Sequence, residues 1–243
     1  MASRSDIIRS AARFASEVVG ETLAPTRCAV CDMPGKVLCE SCMCSLPYVD
    51  QWRACPRCGA PFGLVQCCSC NDLALSHLGL EMLPFQGCIS ATMFKAVTGH
   101  IVRVFKDLGE QRLAADLALL ITQALPPAWH FDAVAYIPAS RTAFRRRGYD
   151  HAKLIAEAVA NSVHVPILDA LERPMARDQR QFGRAGRLAN IRGRFKARSC
   201  VRTGPRLLLV DDVCTTGATL CAASSALVSG GAELLYCATF ARA

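Results

Sequence analysis

Residues 207–220, LLLVDDVCTTGATL, decide the fold of this protein. The first four are apolar and follow Gly204 and Pro205, which predicts a buried parallel strand over 207–210. Asp211 and Asp212 stand at the carboxyl end of this strand, and a Thr-Thr-Gly-Ala-Thr turn then opens an apolar helical pattern. The order predicts a strand–loop–helix unit whose loop lies where open α/β sheets bind their ligands.

The loop has the composition of a phosphate cradle. Hydroxyls and backbone N–H groups at a helix start bind phosphate, and the missing side chain of Gly217 lets a phosphate approach the backbone. The residues of the predicted cradle are Thr215, Thr216, Gly217, Ala218 and Thr219. Asp211 and Asp212 are placed to accept hydrogen bonds from sugar hydroxyls or to lie near magnesium; the alternative is that they only cap the helix. The Gly-x-x-x-x-Gly-Lys and Gly-x-Gly-x-x-Gly patterns are absent from this stretch.

A second unit of the same kind precedes the first. Residues 134–137 read as an apolar strand, 138–140 as the turn at its carboxyl end, and 149–161 as a helix. Arginines after the turn offer forked donors suited to pyrophosphate. The residues we assign to this basic loop are Ser140, Arg141, Arg147 and Gly148. Residues 233–240 read as a last strand.

Positive charge is concentrated in one part of the chain. Of 28 Lys and Arg residues, 16 lie within 141–206, against 5 of the 20 Asp and Glu residues, which gives this part a net charge of +11 while the whole chain carries +8. Such a segment fits an anionic partner, either phosphates or a nucleic-acid backbone; the alternative is a solvated basic face. Residues 173–206, with ten arginines, read as a hood over the site or as an irregular basic hairpin.

Length and composition bound the class of protein. The chain has 243 residues, 52% of them hydrophobic and 20% charged, which is room for one large domain or a medium domain with a small satellite. No apolar run reaches the roughly 20 residues of a membrane span. Arg9 and Arg13 interrupt the apolar run that an export signal would need, and the spacing of the apolar residues in 1–24 instead predicts an amphipathic helix, with a membrane-surface or targeting role as the alternative. We expect a cytoplasmic protein.

Fifteen cysteines, ten of them within residues 28–70, indicate metal binding in a reducing compartment. Eight form four Cys-x-x-Cys pairs, which are Cys28 and Cys31, Cys39 and Cys42, Cys55 and Cys58, and Cys67 and Cys70. Two such pairs complete a tetrahedral zinc site, so the set predicts two structural zinc ions in small ribbons. We favour sequential over crossed pairing. Redox chemistry is the alternative, and Cys44 and Cys68 are surplus.

The apolar strand followed by Asp-Asp-x-x-Thr-Thr-Gly-x-Thr resembles the phosphoribosyl pyrophosphate (PRPP) motif of type I phosphoribosyltransferases. The resemblance implies that Asp211 and Asp212 contact the ribose hydroxyls, that residues 215–219 bind the 5'-phosphate, and that magnesium accompanies the pyrophosphate. Residues 137–156, IPASRTAFRRRGYDHAKLIA, resemble the Arg-Gly-Phe-Asn-Gln-Ala segment of the ComF family. Further residues that resemble that family are Lys106, Gln179, Phe182, Arg187, Asn190 and Phe195.

This chain also departs from the family pattern. Asp150 and His151 replace Asn and Gln, and Phe182 replaces Leu. Asp150 adds negative charge near the expected pyrophosphate. His151 is either an acid–base group or a surface bystander, and Lys106 either reaches a phosphate or is a solvated helix lysine.

The resemblance implies an α/β protein with a type I phosphoribosyltransferase fold, a mainly parallel sheet flanked by helices with a hood, preceded by a small zinc-ribbon domain with four cysteines at each zinc. We expect three parts: a helix over 1–24, a double zinc ribbon over 25–75 and the α/β domain over 76–243. Three functions stay open: transfer of phosphoribosyl from magnesium-PRPP to an unknown acceptor, single-stranded DNA binding with partner proteins of competence and DNA uptake, and PRPP sensing without turnover. Nothing in the chain resembles a glutaminase domain, which makes glutamine-derived ammonia an improbable acceptor.

Overall fold

A computed structural model of the protein describes residues 25–174 and 193–243. The chain divides into two compact units, of which the first ends at Ser45 and the second begins at Leu46. This boundary differs from the one expected at 75/76, because the second set of four cysteines falls in the same unit as the sheet. Among the described helices, none is long and apolar enough to cross a membrane.

A five-stranded parallel sheet forms the centre of the second unit. Its strands are β1 (Gly87–Met93), β2 (Ala133–Tyr136), β3 (Ile167–Leu168), β4 (Arg206–Cys214) and β5 (Leu234–Arg242). Their order in the sheet is β1-β5-β4-β2-β3, and every neighbouring pair is parallel. β4 and β5 are buried along most of their length, as expected for central strands covered on both faces.

Helices connect the strands and cover the sheet. The helices of the described residues are α1 (Glu40–Cys44) in the first unit and α2 (Asp72–His77), α3 (Ala96–Lys106), α4 (Leu113–Ala124), α5 (Arg141–Arg147), α6 (His151–Val163) and α7 (Ala218–Gly230) in the second. α4 packs against β1, β5 and α6, and α6 packs against β2 and β4. α7 contacts β4 and β5, and its Leu220 and Leu227 share a buried cluster with Leu207 and Leu209.

The predicted α/β fold class is confirmed, with two differences in the strands that carry the site. β4 continues through both carboxylates to Cys214 instead of ending at Val210, because residues 211–214 remain alongside β5. β5 likewise runs to Arg242 instead of ending at residue 240. Asp211 and Asp212 therefore belong to a paired strand, which fixes their backbone more firmly than a loop would.

Several predicted features lie outside the described residues. These are the helix over 1–24 and, from the hood, Gln179, Phe182, Arg187 and Asn190. The chain on either side of this part of the hood is paired, since Leu171 forms an antiparallel bridge with Ala197 and the N–H of Glu172 donates to the carbonyl of Lys196 at 2.8 Å. Phe195 is buried.

Candidate functional site

The predicted phosphate loop leaves β4 and leads directly into α7. Gly217 is the N-cap of the helix and has φ of 77°, a left-handed conformation that favours glycine. The side chains of Thr215, Thr216 and Thr219 are exposed, whereas Ala218 is buried. The loop therefore presents hydroxyls next to the backbone N–H groups of a helix start, which is the arrangement that binds phosphate.

Asp211 and Asp212 are both buried, and their surroundings shift their pKa values in opposite directions. Burial and the neighbouring charge of Asp212 raise the pKa of Asp211 well above its ordinary value. Burial also disfavours the ionised form of Asp212, but contact with His151 and the positive charge of Lys106 outweigh this and lower the pKa of Asp212. The ionised form is therefore favoured at Asp212, while Asp211 keeps its proton to higher pH.

Two helix ends hold the side chain of Asp212. Nζ of Lys106, the last residue of α3, donates to Oδ2 of Asp212 at 2.7 Å. Nε2 of His151, the first residue of α6, lies 3.6 Å from Oδ1. The other ring nitrogen of His151 is buried and has no hydrogen-bond partner among the described residues. Lys106 is thus not a solvated lysine, and His151 is not a surface bystander.

Asp150 connects the turn after β2 to the start of α6. Its Oδ2 accepts hydrogen bonds from the backbone N–H of Ala139 and from Nη1 of Arg173, both at 2.9 Å. Nη1 of Arg173 also donates to the carbonyl of Ala139 at 2.9 Å. The charge of this buried carboxylate is therefore matched by Arg173, so the expected repulsion of a pyrophosphate by Asp150 is reduced.

The predicted basic loop over 140–148 folds as α5 with its two caps. Oγ of Ser140 accepts from the N–H of Ala143 at 3.2 Å, and Gly148 ends the helix with φ of 80°. Nη2 of Arg147 donates to Asp107 at 3.2 Å, and the Arg141 side chain is exposed. No hydrogen bond joins these four residues to Asp211 or Asp212 in the described part of the chain. Ser140 and Gly148 shape the backbone, and Arg141 remains the exposed donor of the set.

The eight predicted zinc ligands form two clusters, one in each compact unit. The first holds Cys28, Cys31, Cys39 and Cys42, and the second holds Cys55, Cys58, Cys67 and Cys70; within each, the sulfur atoms lie within 4.8 Å of one another. The sequential grouping is therefore confirmed. Sulfur–sulfur distances within the second cluster include 3.7 Å and 3.5 Å, close to the edge of about 3.8 Å of a tetrahedron with zinc–sulfur bonds of about 2.3 Å.

One cysteine in each cluster has a lowered pKa, whereas burial raises the pKa values of Cys42, Cys58 and Cys70. Burial disfavours the thiolate of Cys28, but several N–H groups, including that of Cys39, outweigh it and lower the pKa of Cys28 to about 6. The N–H of Ser69 acts in the same sense on Cys67, whose pKa is lowered to about 7. Because zinc binds thiolates, both clusters are compatible with structural zinc.

A cavity of about 400 Å³ lies along α7 and not at the carboxylate pair. Its lining is mainly apolar and includes Leu80, Phe195 and Ala222. Asp211 and Asp212 are not part of it. We therefore locate the candidate site by the carboxylates and the loop, whose chemistry is specific, and not by the size of a cavity.

The strand order, the carboxylate pair and the loop before α7 define a parallel α/β protein that resembles the type I phosphoribosyltransferases, to which two four-cysteine clusters are added. No family model matches the chain. Among curated proteins, competence protein ComFC of Bacillus subtilis (strain 168) is 25% identical over 202 residues, which is 82% of this chain and 80% of ComFC. The chain is thus similar to ComFC over most of the length of both proteins.

The chain is also similar to parts of solved structures. Glutamine PRPP amidotransferase from B. subtilis is 20% identical with a TM-score of 0.36, and the match covers 53% of this chain and 25% of the amidotransferase. Adenine phosphoribosyltransferase from Saccharomyces cerevisiae is 16% identical with a TM-score of 0.33, over 58% of this chain and 72% of that one. The chain thus spans about a quarter of the amidotransferase. The fold assignment rests on the sheet and the loop themselves.

We expect the purified protein to hold two zinc ions per chain, one in each cluster. Cys67→Ser removes a ligand of the second cluster and is expected to lower the content to one ion, because a three-thiolate site binds zinc more weakly. Cys68→Ser changes the neighbouring exposed cysteine, which belongs to neither cluster, and should leave two ions. Native mass spectrometry counts the ions. Equal zinc loss in both variants would contradict the assignment.

Lys106→Met is expected to lower the free energy of unfolding by about 2 to 4 kcal/mol at neutral pH, because Asp212 stays buried without its main cation. The stabilisation by Asp212 is present above its unfolded pKa, ordinarily 3.8, and is lost as the pH falls through the lowered folded pKa. The deficit of the variant should therefore shrink below about pH 4. Denaturant unfolding of both proteins, from neutral pH to below about pH 4, measures this difference in the free energy of unfolding.

Lys153→Met is the matched control, since Lys153 is an exposed lysine of α6 whose ion pair among the described residues is with Glu157, at 3.5 Å. This variant should change the unfolding free energy by less than about 0.5 kcal/mol. A Lys106→Met deficit that stays constant with pH would show that Lys106 acts through packing and not through Asp212.

Proposed function

We propose that this chain is a ComF-type phosphoribosyltransferase-like protein that binds magnesium-PRPP at residues 211–219 and transfers the phosphoribosyl group to an acceptor, with release of pyrophosphate. One observation carries the proposal. Two adjacent buried carboxylates lie near the carboxyl end of β4, two residues before an exposed, hydroxyl-rich loop that leads into α7. This combination suits a ligand that has both sugar hydroxyls and a phosphate.

Each part of the site has a role in this reaction. Ionised Asp212 accepts hydrogen bonds from ribose hydroxyls, and the backbone N–H groups and threonine hydroxyls of the loop donate to the 5'-phosphate. Lys106 keeps Asp212 ionised. Magnesium, when bound, offsets the charge of the pyrophosphate; ligand atoms of His151, Asp211 and Asp212 lie within 4.8 Å of one another and could hold a cation there. Positioning and electrostatics supply the catalysis.

Binding without turnover would make the same site a PRPP sensor. The carboxylates and the loop support binding equally in both cases, so the two functions differ only in whether pyrophosphate is released in the presence of an acceptor. The cytoplasmic location stays a prediction.

Calorimetric titration of the zinc-loaded protein with magnesium-PRPP tests the proposal. Asp212→Asn should weaken binding at least about tenfold, since hydrogen bonds to a charged group contribute about 1.5 to 3 kcal/mol. Asp132→Asn is the matched control, because Asp132 is an exposed aspartate paired with Arg206 at the opposite end of β4. Wild-type protein that is folded and zinc-loaded but does not bind PRPP would overturn the proposal.

Single-stranded DNA binding is the second candidate function, and an aromatic surface favours it. Trp52 is 89% exposed and Phe62 is 61% exposed, in the segment that carries the second cysteine cluster. The guanidinium of Arg53 lies 4.9 Å from the ring centre of Phe62. Exposed rings beside arginines stack bases and contact phosphates. Both rings lie outside the hood, residues 173–206, and were therefore not predicted from the sequence. The curated relative ComFC is itself a competence protein.

Fluorescence anisotropy with a labelled oligothymidine separates the two functions. For DNA binding, Trp52→Ala should weaken affinity by about 1 to 3 kcal/mol, because one base-stacking platform is lost, and affinity should fall steeply with salt. Asp212→Asn should leave the affinity for the oligothymidine unchanged. Leu119→Ala is the control, because Leu119 is an exposed residue of α4. Trp129→Ala is unsuitable as a control, because Trp129 stacks on Tyr236. Equal affinity of Trp52→Ala and wild type would exclude this surface.

A further inference from the structure

Arg242, the last residue of β5, contacts the second cysteine cluster and the phosphate loop at once. Its Nη1 donates to the backbone carbonyl of Cys58 and to Sγ of Cys214, both at 2.9 Å. The side chain is buried, and its Nε has no hydrogen-bond partner among the described residues. A guanidinium in such a place is held by the few acceptors it has, because burying it without them costs several kcal/mol.

The contact with Cys214 continues into the loop. Sγ of Cys214 lies directly against Gly217, the N-cap of α7, since a Cβ on Gly217 would lie 4.0 Å from this sulfur. Arg242 is therefore hydrogen-bonded to Cys214, and Cys214 in turn packs against the loop whose residues are proposed to bind phosphate.

The contact with Cys58 continues into the metal-binding turn. This turn closes through hydrogen bonds from the N–H of Cys55 to the carbonyl of Ala60, at 2.9 Å, and from the N–H of Gly59 to the carbonyl of Cys55, at 2.8 Å. Gly59 has φ of 69°, and a Cβ there would lie 2.6 Å from the carbonyl oxygen of Cys88 in β1. A metal that fixes the Cys55 and Cys58 sulfurs therefore also fixes the Cys58 carbonyl against the sheet.

We propose that Arg242 is a positioning residue that couples metal occupancy of the second cysteine cluster to the phosphate loop. With metal bound, the Cys58 carbonyl holds the guanidinium, which holds the Cys214 sulfur against the backbone of Gly217. Loss of this metal frees the turn, weakens these hydrogen bonds and loosens the loop. The inference rests on the proposed function for the identity of the ligand, but not for the coupling itself.

Two measurements on the full chain test the coupling. Amide hydrogen exchange of residues 214–219 reports the loop without any ligand, and calorimetry with magnesium-PRPP reports affinity. Arg242→Gln and Cys67→Ser should each speed the exchange of the loop about tenfold and weaken PRPP binding about tenfold, a change that corresponds to about 1.4 kcal/mol. Arg242→Lys should show a smaller effect, because lysine keeps the charge but lacks the forked donors.

The controls are matched in residue type. Arg206→Gln changes an exposed arginine at the amino end of β4, and Cys68→Ser changes the cysteine beside Cys67; both should leave exchange and affinity unchanged. The double variant Arg242→Gln/Cys67→Ser should be no worse than either single variant, because both changes break the same path.

Additive effects in the double variant, or unchanged loop exchange in Cys67→Ser with one zinc ion bound, would overturn the proposal. If Arg242→Gln does not fold, Cys214→Ala breaks the same path at the loop and should reproduce the effect of Cys67→Ser on the loop. If the wild type does not bind PRPP, the proposed function fails, while the exchange measurement still decides whether the coupling exists.

Discussion

A buried strand cannot carry two adjacent negative charges, because the interior of a protein neither hydrates them nor screens their repulsion. β4 nevertheless carries Asp211 and Asp212 side by side, and the surrounding residues reduce the repulsion between them. Lys106 and His151 approach Asp212 from two different helices, and Asp211 keeps its proton more strongly. The end of α3 and the start of α6 are thereby fixed at the same point of the sheet. The carboxylate of Asp212 therefore also helps to position the end of α3 and the start of α6.

The segment between β2 and α6 is held in place by similar means. The hydroxyl of Tyr149 donates to the carbonyl of Phe105 in α3, and Arg147 pairs with Asp107 just after it. Asp150 joins the turn at Ala139 to Arg173. Residues that resemble a family motif in sequence therefore serve here mainly to connect α3, α5 and α6. This explains how Asp150 can replace a neutral residue, since Arg173 provides the matching charge.

The sequence was sufficient for the features that depend on local pattern. The strand before the carboxylates, the loop into α7 and the grouping of the eight cysteines follow from apolar runs, glycine placement and fixed spacing. The partners of Asp212 did not follow, because Lys106 is separated from it by 105 intervening residues and only the sheet order brings them together. Arg242 was missed for the same reason. It ends an apolar strand, and nothing nearby in the sequence indicates that its side chain turns inward toward Cys58 and Cys214.

The order of the strands also determines when this fold can be completed. β1 pairs only with β5 in the described sheet, and β5 lies between β1 and β4 although it is the last strand along the chain. During synthesis on the ribosome, β1 must therefore wait for β5 before it joins the sheet, and the cysteines of residues 55–70 precede it. For this interval the carbonyl of Cys58 lacks the hydrogen bond that Arg242, the last residue of β5, donates in the finished fold. The link from the second cysteine cluster through Arg242 to β4 is therefore completed only when β5 has been made.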